Sequence, residues 1–140
     1  MEKKYILTDE TITLDSGVVL HRIKAIRSFG DVNKGNLGWW IEKEDNLSHD
    51  GDCWVYDNAK VHGNAIICGY AKIYGKVHVY DNATVYGKVH VCDNSKVYGN
   101  AIICGYAYVY GNTKVYDNAK VYNNVIICGN ATVYGHANVY

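Results

Sequence analysis

Asn82-Ala83-Thr84-Val85-Tyr86-Gly87 is one beat of a six-residue rhythm that runs unbroken from Asp52 to Tyr140. From Val55 through Val61, Ile67 and Ile73 to Val133 and Val139, all fifteen residues at this spacing are Val or Ile. Two residues before each stands a small side chain, which is Ala in nine of the hexads. Tyr follows the Val or Ile in ten of the fifteen, and then a turn pair such as Gly63-Asn64, Asp81-Asn82 or Gly99-Asn100. Within a hexad, small-in, variable-out, branched-in, Tyr-out is a period of two, the mark of a strand with one buried face. Val, Ile and Tyr favour strands, and Gly, Asn and Asp supply the backbone freedom of a corner. Hydrophobics at i, i+2 and i+6 make no helical face. The rhythm therefore predicts an all-β solenoid built from short flat sides.

Closing short sides into a coil takes about three of them, so one coil is expected to hold 18 residues. A longer echo agrees: Asn64 to Ala71 returns as Asn100 to Ala107, a shift of 36 residues. That shift fits two coils of 18 and would also fit three of 12. Residues 52–140 then make about five coils, roughly 24 Å tall at ~4.8 Å per layer. With three sides, the outward pairs fall into columns. Side one carries Trp54/Tyr56, Lys72/Tyr74, His90/Cys92, Tyr108/Tyr110 and Ile126/Cys128. Side two carries Lys60/His62, His78/Tyr80, Lys96/Tyr98, Lys114/Tyr116 and Thr132/Tyr134. Side three carries Ile66/Cys68, Thr84/Tyr86, Ile102/Cys104, Lys120/Tyr122 and Asn138/Tyr140. Ahead of the repeat, residues 1–51 read as a β cap and lead-in. Lys4 to Thr8 and Thr11 to Leu14 are expected strands, Asp15-Ser16-Gly17 a turn, and Val18 to Phe29 a longer β segment. Such a hairpin would cover the strand edges of the first coil.

The repeat resembles the hexapeptide repeat of left-handed parallel β-helices, which implies a triangular prism and a left-handed coil. Tyr after the Val is a departure, since that position is often small or acidic in the family. A second resemblance spans Ile26 to Asp57. Phe29-Gly30-Asp31-Val32, Lys34-Gly35, Leu37-Gly38, Trp40-Ile41-Glu42, Leu47-Ser48 and Gly51 to Asp57 are similar to the lead-in of a family of bacterial and phage hexapeptide-repeat proteins. It implies architecture and a phage or prophage setting, and no reaction. Trp39 replaces a residue that is usually small there.

Composition narrows the function classes. The 140 residues carry 14 basic and 14 acidic groups, so there is no strong field to gather polyanions. No apolar run of membrane or signal-peptide length is present, which points away from a membrane. Of the five Cys, Cys53 takes an inward slot and Cys68, Cys92, Cys104 and Cys128 take outward ones. The outward pairs that share a face lie two coils apart, ~9–10 Å, too far for a disulfide. Free thiols imply a reducing compartment, the cytoplasm of a bacterial host.

Chemistry-bearing patterns are sparse. The best-known bearers of the repeat are acyltransferases, which resemble this chain in the coil alone. They use a His between trimer subunits and a loop thrown out between hexads, and here no loop interrupts the hexads. The available bases are His62, His78, His90 and His136, and no Ser, Asp or Glu is placed by sequence to orient them. Solvated surface histidines are the plainer reading. His90 and Cys92 share a face, but two ligands fall short of a zinc signature. No metal or cofactor is expected. No regular Thr-x-Thr array suggests ice binding.

Side two is a column of cations beside a column of aromatics: Lys60, His78, Lys96 and Lys114 next to Tyr80, Tyr98 and Tyr116. Such a face can hold phosphates and stack bases, or its rings can simply stabilise one another while Lys keeps it soluble. Rigid Tyr-rich faces are good protein-binding material. Side three, with Ile66, Cys68, Ile102 and Cys104 outward, is expected to be covered by the N-terminal segment, a second subunit or a target. An open last coil invites pairing with a second copy, so a homodimer through Asn124 to Tyr140 is expected, with Tyr134, Asn138 and Tyr140 at the interface. These readings favour a non-catalytic scaffold, encoded by a phage or prophage, that binds a host protein. An inhibitor of host defence such as an anti-CRISPR protein, acting on a defence nuclease or its nucleic-acid complex, is the concrete version. A hexapeptide acyltransferase and a self-assembling structural protein are the alternatives.

Overall fold

A computed structural model describes residues 2–140. Its parallel coils repeat every 18 residues. Side one stacks Trp54–Val55, Lys72–Ile73, His90–Val91, Tyr108–Val109 and Ile126–Ile127 in one sheet. Side three stacks Ile66–Ile67, Thr84–Val85, Ile102–Ile103, Lys120–Val121 and Asn138–Val139. Side two stacks Lys60–Val61, His78–Val79, Lys96–Val97, Lys114–Val115 and Thr132–Val133. Each coil donates to the next, as in Lys60 N–H to Val77 O at 2.9 Å and His62 N–H to Val79 O at 3.0 Å. The 18-residue coil is thus selected over the 12-residue one.

The corners explain the turn residues. From Asp57 (φ 44°) to Gly135 (φ 66°), every sixth residue has a positive φ, and each is Gly, Asp or Asn. Other side chains pay a penalty in this left-handed region. Gly105 has a second reason, because a Cβ there would lie 2.6 Å from the backbone nitrogen of Asn123 in the next coil. Where Asp occupies the corner, its side chain ties two coils. Asp81, Asp93 and Asp117 each accept, through Oδ2, the N–H of Gly99, Gly111 or Gly135, at 3.0–3.1 Å.

The Val/Ile column is fully buried from Val55 to Val121 and becomes half-exposed at Val133 and Val139. The small slots complete this core. Two of them are polar, and each hydroxyl is satisfied by the carbonyl three residues back: Ser95 Oγ donates to Cys92 O at 2.9 Å, and Thr113 Oγ1 to Tyr110 O at 2.8 Å.

The N-terminal segment is a hairpin of β1 (Tyr5–Thr13) and β2 (Val19–Ala25), followed by β3 (Leu37–Ile41). The two strands expected on either side of Asp9-Glu10 form one strand, with a register shift between Leu7 and Thr11. Strand β3 pairs antiparallel with β2 and parallel with Lys60–Val61, so the hairpin extends the sheet of side two to eight strands. Ile41 faces Val61 and Leu47 faces Ile67, an offset of 20, before the 18-residue offset sets in at Trp54. The parallel stack thus begins ahead of Asp52, giving about six turns.

The open end of the coil is plugged from the chain start. Tyr5 is buried, donates its hydroxyl to Leu47 O at 2.6 Å and stacks on His49 at 4.2 Å. Lys4, also buried, donates to Gly51 O and Cys53 O, and lies 4.5 Å from the centre of the Phe29 ring. Burial lowers its pKa, as desolvation must for an ammonium. Phe29 packs on Trp54 at 5.2 Å. Gly38 passes so close that a Cβ would fall 2.6 Å from Ile23 and 2.7 Å from Trp54.

Candidate functional site

On side two the parallel register brings the expected residues into two straight rows. Lys60, His78, Lys96 and Lys114 are direct neighbours from coil to coil, at the ~4.8 Å spacing of strands. The row continues into the cap, because Trp40 faces Lys60 and Arg22 faces Trp40. Arg22 lies over the Trp39 ring at 3.8 Å and donates from Nε to Gly38 O. Sequence spacing could not place Arg22 there, since its strand runs antiparallel and outside the hexad rhythm.

The second row is an aromatic ladder. His62, Tyr80, Tyr98, Tyr116 and Tyr134 stack in sequence, with centroids 5.3, 5.0, 4.9 and 5.7 Å apart and planes within 13°. Each inner ring therefore spends both faces on its neighbours. No planar base fits between them, so the face can offer phosphate-holding cations and phenol edges but not base stacking along its length. Burial lowers the pKa of His62 and His78, with Lys60 and Lys96 adding to the effect on His78. Neutral His78 then separates the charges of Lys60 and Lys96.

Side three stays open. Ile66 is 44 % exposed, while Trp54 on side one is 2 % exposed beneath the N-terminal segment. Of the three covers expected for side three, the N-terminal segment goes elsewhere. Tyr134 and Tyr140 are exposed, each stacked on the ring one coil before it: Tyr116 at 5.7 Å and Tyr122 at 5.1 Å. Asn138 is exposed between them.

Side one carries two open depressions. A cavity of about 500 Å³ is lined by Tyr74, Cys92, Asp93, Tyr108, Tyr110 and Ile126. A second of about 270 Å³ adjoins it, shares Tyr74, and includes Lys72, Asp31 and His90. The relief arises because Cys92 stands where a ring would complete the Tyr column. Tyr74 reaches into the gap, with its hydroxyl 3.0 Å from Tyr108 Oη and 3.4 Å from His90 Nδ1. Burial, then Tyr108 and Cys92, push the Tyr74 phenol upward. His90 stacks on Tyr108 at 4.9 Å, and its pKa is lowered by burial and then by Lys72. Asp31 and Lys72 pair at 2.6 Å, which lowers the Asp31 pKa and raises that of Lys72.

None of the four solenoid histidines has a carboxylate hydrogen-bond partner among the described residues. His49 does, at 3.3 Å from Glu44, but its other ring nitrogen accepts the Lys4 N–H, so it serves to pin the cap. No group of three or more His, Cys, Asp or Glu is gathered for a metal among the described residues. All five Cys are free thiols, and among the described residues no helix is long and apolar enough to cross a membrane.

The family described as YdcK beta-solenoid repeat matches residues 78–93, which lie at the centre of this stack. The coil is of the hexapeptide-repeat β-helix type. Over 73 residues the chain is 38% identical to a protein of Escherichia coli (strain K12) named uncharacterized acetyltransferase YdcK, covering 46% of this chain and 22% of that protein. The chain thus spans about a fifth of that relative's length. The family match falls within the β-helix repeat.

Proposed function

We propose that this hexapeptide β-helix is a non-catalytic scaffold that binds a protein partner through side two. The supporting observation is the ladder from His62 to Tyr134 beside the Lys60, His78, Lys96 and Lys114 row, a rigid face whose rings are already fixed before any partner arrives. Contact area that is preordered costs little entropy on binding. In its concrete form the protein is encoded by a phage or prophage, works in the bacterial cytoplasm and inhibits a host defence factor, in the manner of an anti-CRISPR protein. Such a partner is a defence nuclease or its nucleic-acid complex, and the Lys row would meet its acidic or phosphate surface. A dimer through Asn124 to Tyr140 belongs to the same proposal, with Tyr134, Asn138 and Tyr140 at the contact. The test is capture from host lysate with the tagged protein, alongside a variant with Lys60, Lys96 and Lys114 changed to Glu. One stoichiometric partner lost in the variant supports the reading. A partner retained by the variant removes side two from it. Sedimentation of Tyr134→Ser and Tyr140→Ser tests the dimer, which an unchanged mass would refute.

The relative's name favours a second reading, acetyl transfer. His90 lines the smaller side-one cavity, and it would be the general base. Acetyl-CoA turnover abolished by His90→Gln would carry this reading, and no turnover by the intact chain would end it.

A further inference from the structure

We propose that the larger side-one cavity is a binding site for an organic ammonium head group, such as a quaternary ammonium or a methylated lysine. Three observations converge on that chemistry. First, the walls are aromatic and set at an angle. Tyr108 and Tyr110 stand 5.5 Å apart with planes at 89°, forming a corner, and Tyr74 closes a further side. His90 takes one face of Tyr108 at 4.9 Å, but no stacked ring covers the other among the described residues, so unlike the inner rings of side two it keeps a face for a ligand. A ring face attracts a cation within about 6 Å of its centre, most strongly where water is displaced.

Second, the charge around the cavity suits a cation. Asp93 lines it and is held in place by the Gly111 N–H, which its Oδ2 accepts at 3.0 Å. Asp31 and Asp57 line the adjoining depression. The one Lys there, Lys72, is already paired with Asp31 at 2.6 Å. His90 stacks on Tyr108 and lines the adjoining depression, not the larger cavity. Three carboxylates against one ammonium leave a formal excess of two negative charges over the two linings.

Third, the size and floor fit. About 500 Å³ lies within the ~300–1,000 Å³ of small-molecule sites. Buried Cys92 gives an apolar base and exposed Ile126 an apolar rim for methyl groups. The phenol hydroxyls of Tyr74 and Tyr108 are tied to each other, so the walls are preordered.

The site does not depend on side two or on acetyl transfer. Isothermal titration with choline, with a trimethyl-lysine peptide and with 3,3-dimethylbutan-1-ol, the uncharged shape-mimic of choline, tests it. A charged ligand should bind roughly tenfold more tightly than the uncharged mimic. Binding of choline identifies a small-molecule source of the head group, and binding of the peptide alone identifies a protein tail. Asp93→Asn and Tyr108→Leu should each weaken binding several-fold while circular dichroism stays unchanged, and Tyr98→Leu on side two should leave binding intact. Equal binding of the mimic, or no binding of either cation at millimolar concentration, overturns the proposal.

Discussion

Replacing Tyr98 by Ser asks what holds side two together. Its ring lies between Tyr80 at 5.0 Å and Tyr116 at 4.9 Å, within 4° of both. Each aromatic pair adds about 0.5–1.5 kcal/mol beyond simple burial, so losing two pairs should cost about 1–3 kcal/mol. At about 3 °C per kcal/mol for a chain of this length, Tm should fall by roughly 3–9 °C. The control is Tyr70→Ser, since Tyr70 is 52 % exposed and has no stacked ring among the described residues. Its cost should stay near 0.5 kcal/mol, as for ordinary surface changes. The assay is thermal unfolding followed by circular dichroism, with a cycle of Tyr80→Ser and Tyr98→Ser to isolate the pair term. A Tyr98→Ser loss no larger than that of Tyr70→Ser, or a coupling near zero, would refute the view that the rings stabilise successive coils. It would also reopen their faces to ligands.

Three further expectations follow from the geometry. Asp117 sits at φ 58° and accepts the Gly135 N–H, so Asp117→Ala should cost about 1–2 kcal/mol in denaturant titration while Asp117→Gly stays near neutral. Gly38→Ala should cost about 1–3 kcal/mol by overpacking, because its Cβ would meet Ile23 and Trp54; an unchanged midpoint would contradict that packing. His62, His78 and His90 have pKa values below their ordinary 6.5, with burial as the leading cause. The unfolded chain therefore takes up their protons first as pH falls. Stability should decline from pH 6.5 downward through the lowered folded values, and His78→Gln should flatten the Tm-versus-pH curve across that window.

The hexad rhythm was enough to determine a coil of short flat sides and which residues face outward, while the strand pairing chose 18 residues per coil over 12 and so fixed the columns. That legibility has a physical basis. In a solenoid each strand's neighbours lie at a constant sequence offset, so periodicity is contact information. The corner residues were equally legible, because only Gly, Asp and Asn tolerate the left-handed backbone that recurs from Asp57 to Gly135. Side two was therefore found as a set of columns, but the orientation of its rings was not. Only the tertiary structure showed that the Tyr faces are spent on one another, which decides against base stacking. It also joined Arg22 to the Lys60 row through antiparallel pairing, which follows no repeat. The same holds for the cap. Nothing in the rhythm says that Phe29 and Tyr5 cover Trp54 and leave Ile66 open, since that depends on where a non-repeating chain folds back. The side-one cavity comes from the two levels together: sequence put Cys92 in a column of Tyr, and packing turned Tyr74 into the gap and set Tyr108 across Tyr110. Sequence fixes position along a repeat, whereas side-chain rotamers and non-repeating contacts are settled only when neighbouring coils compete for the same space.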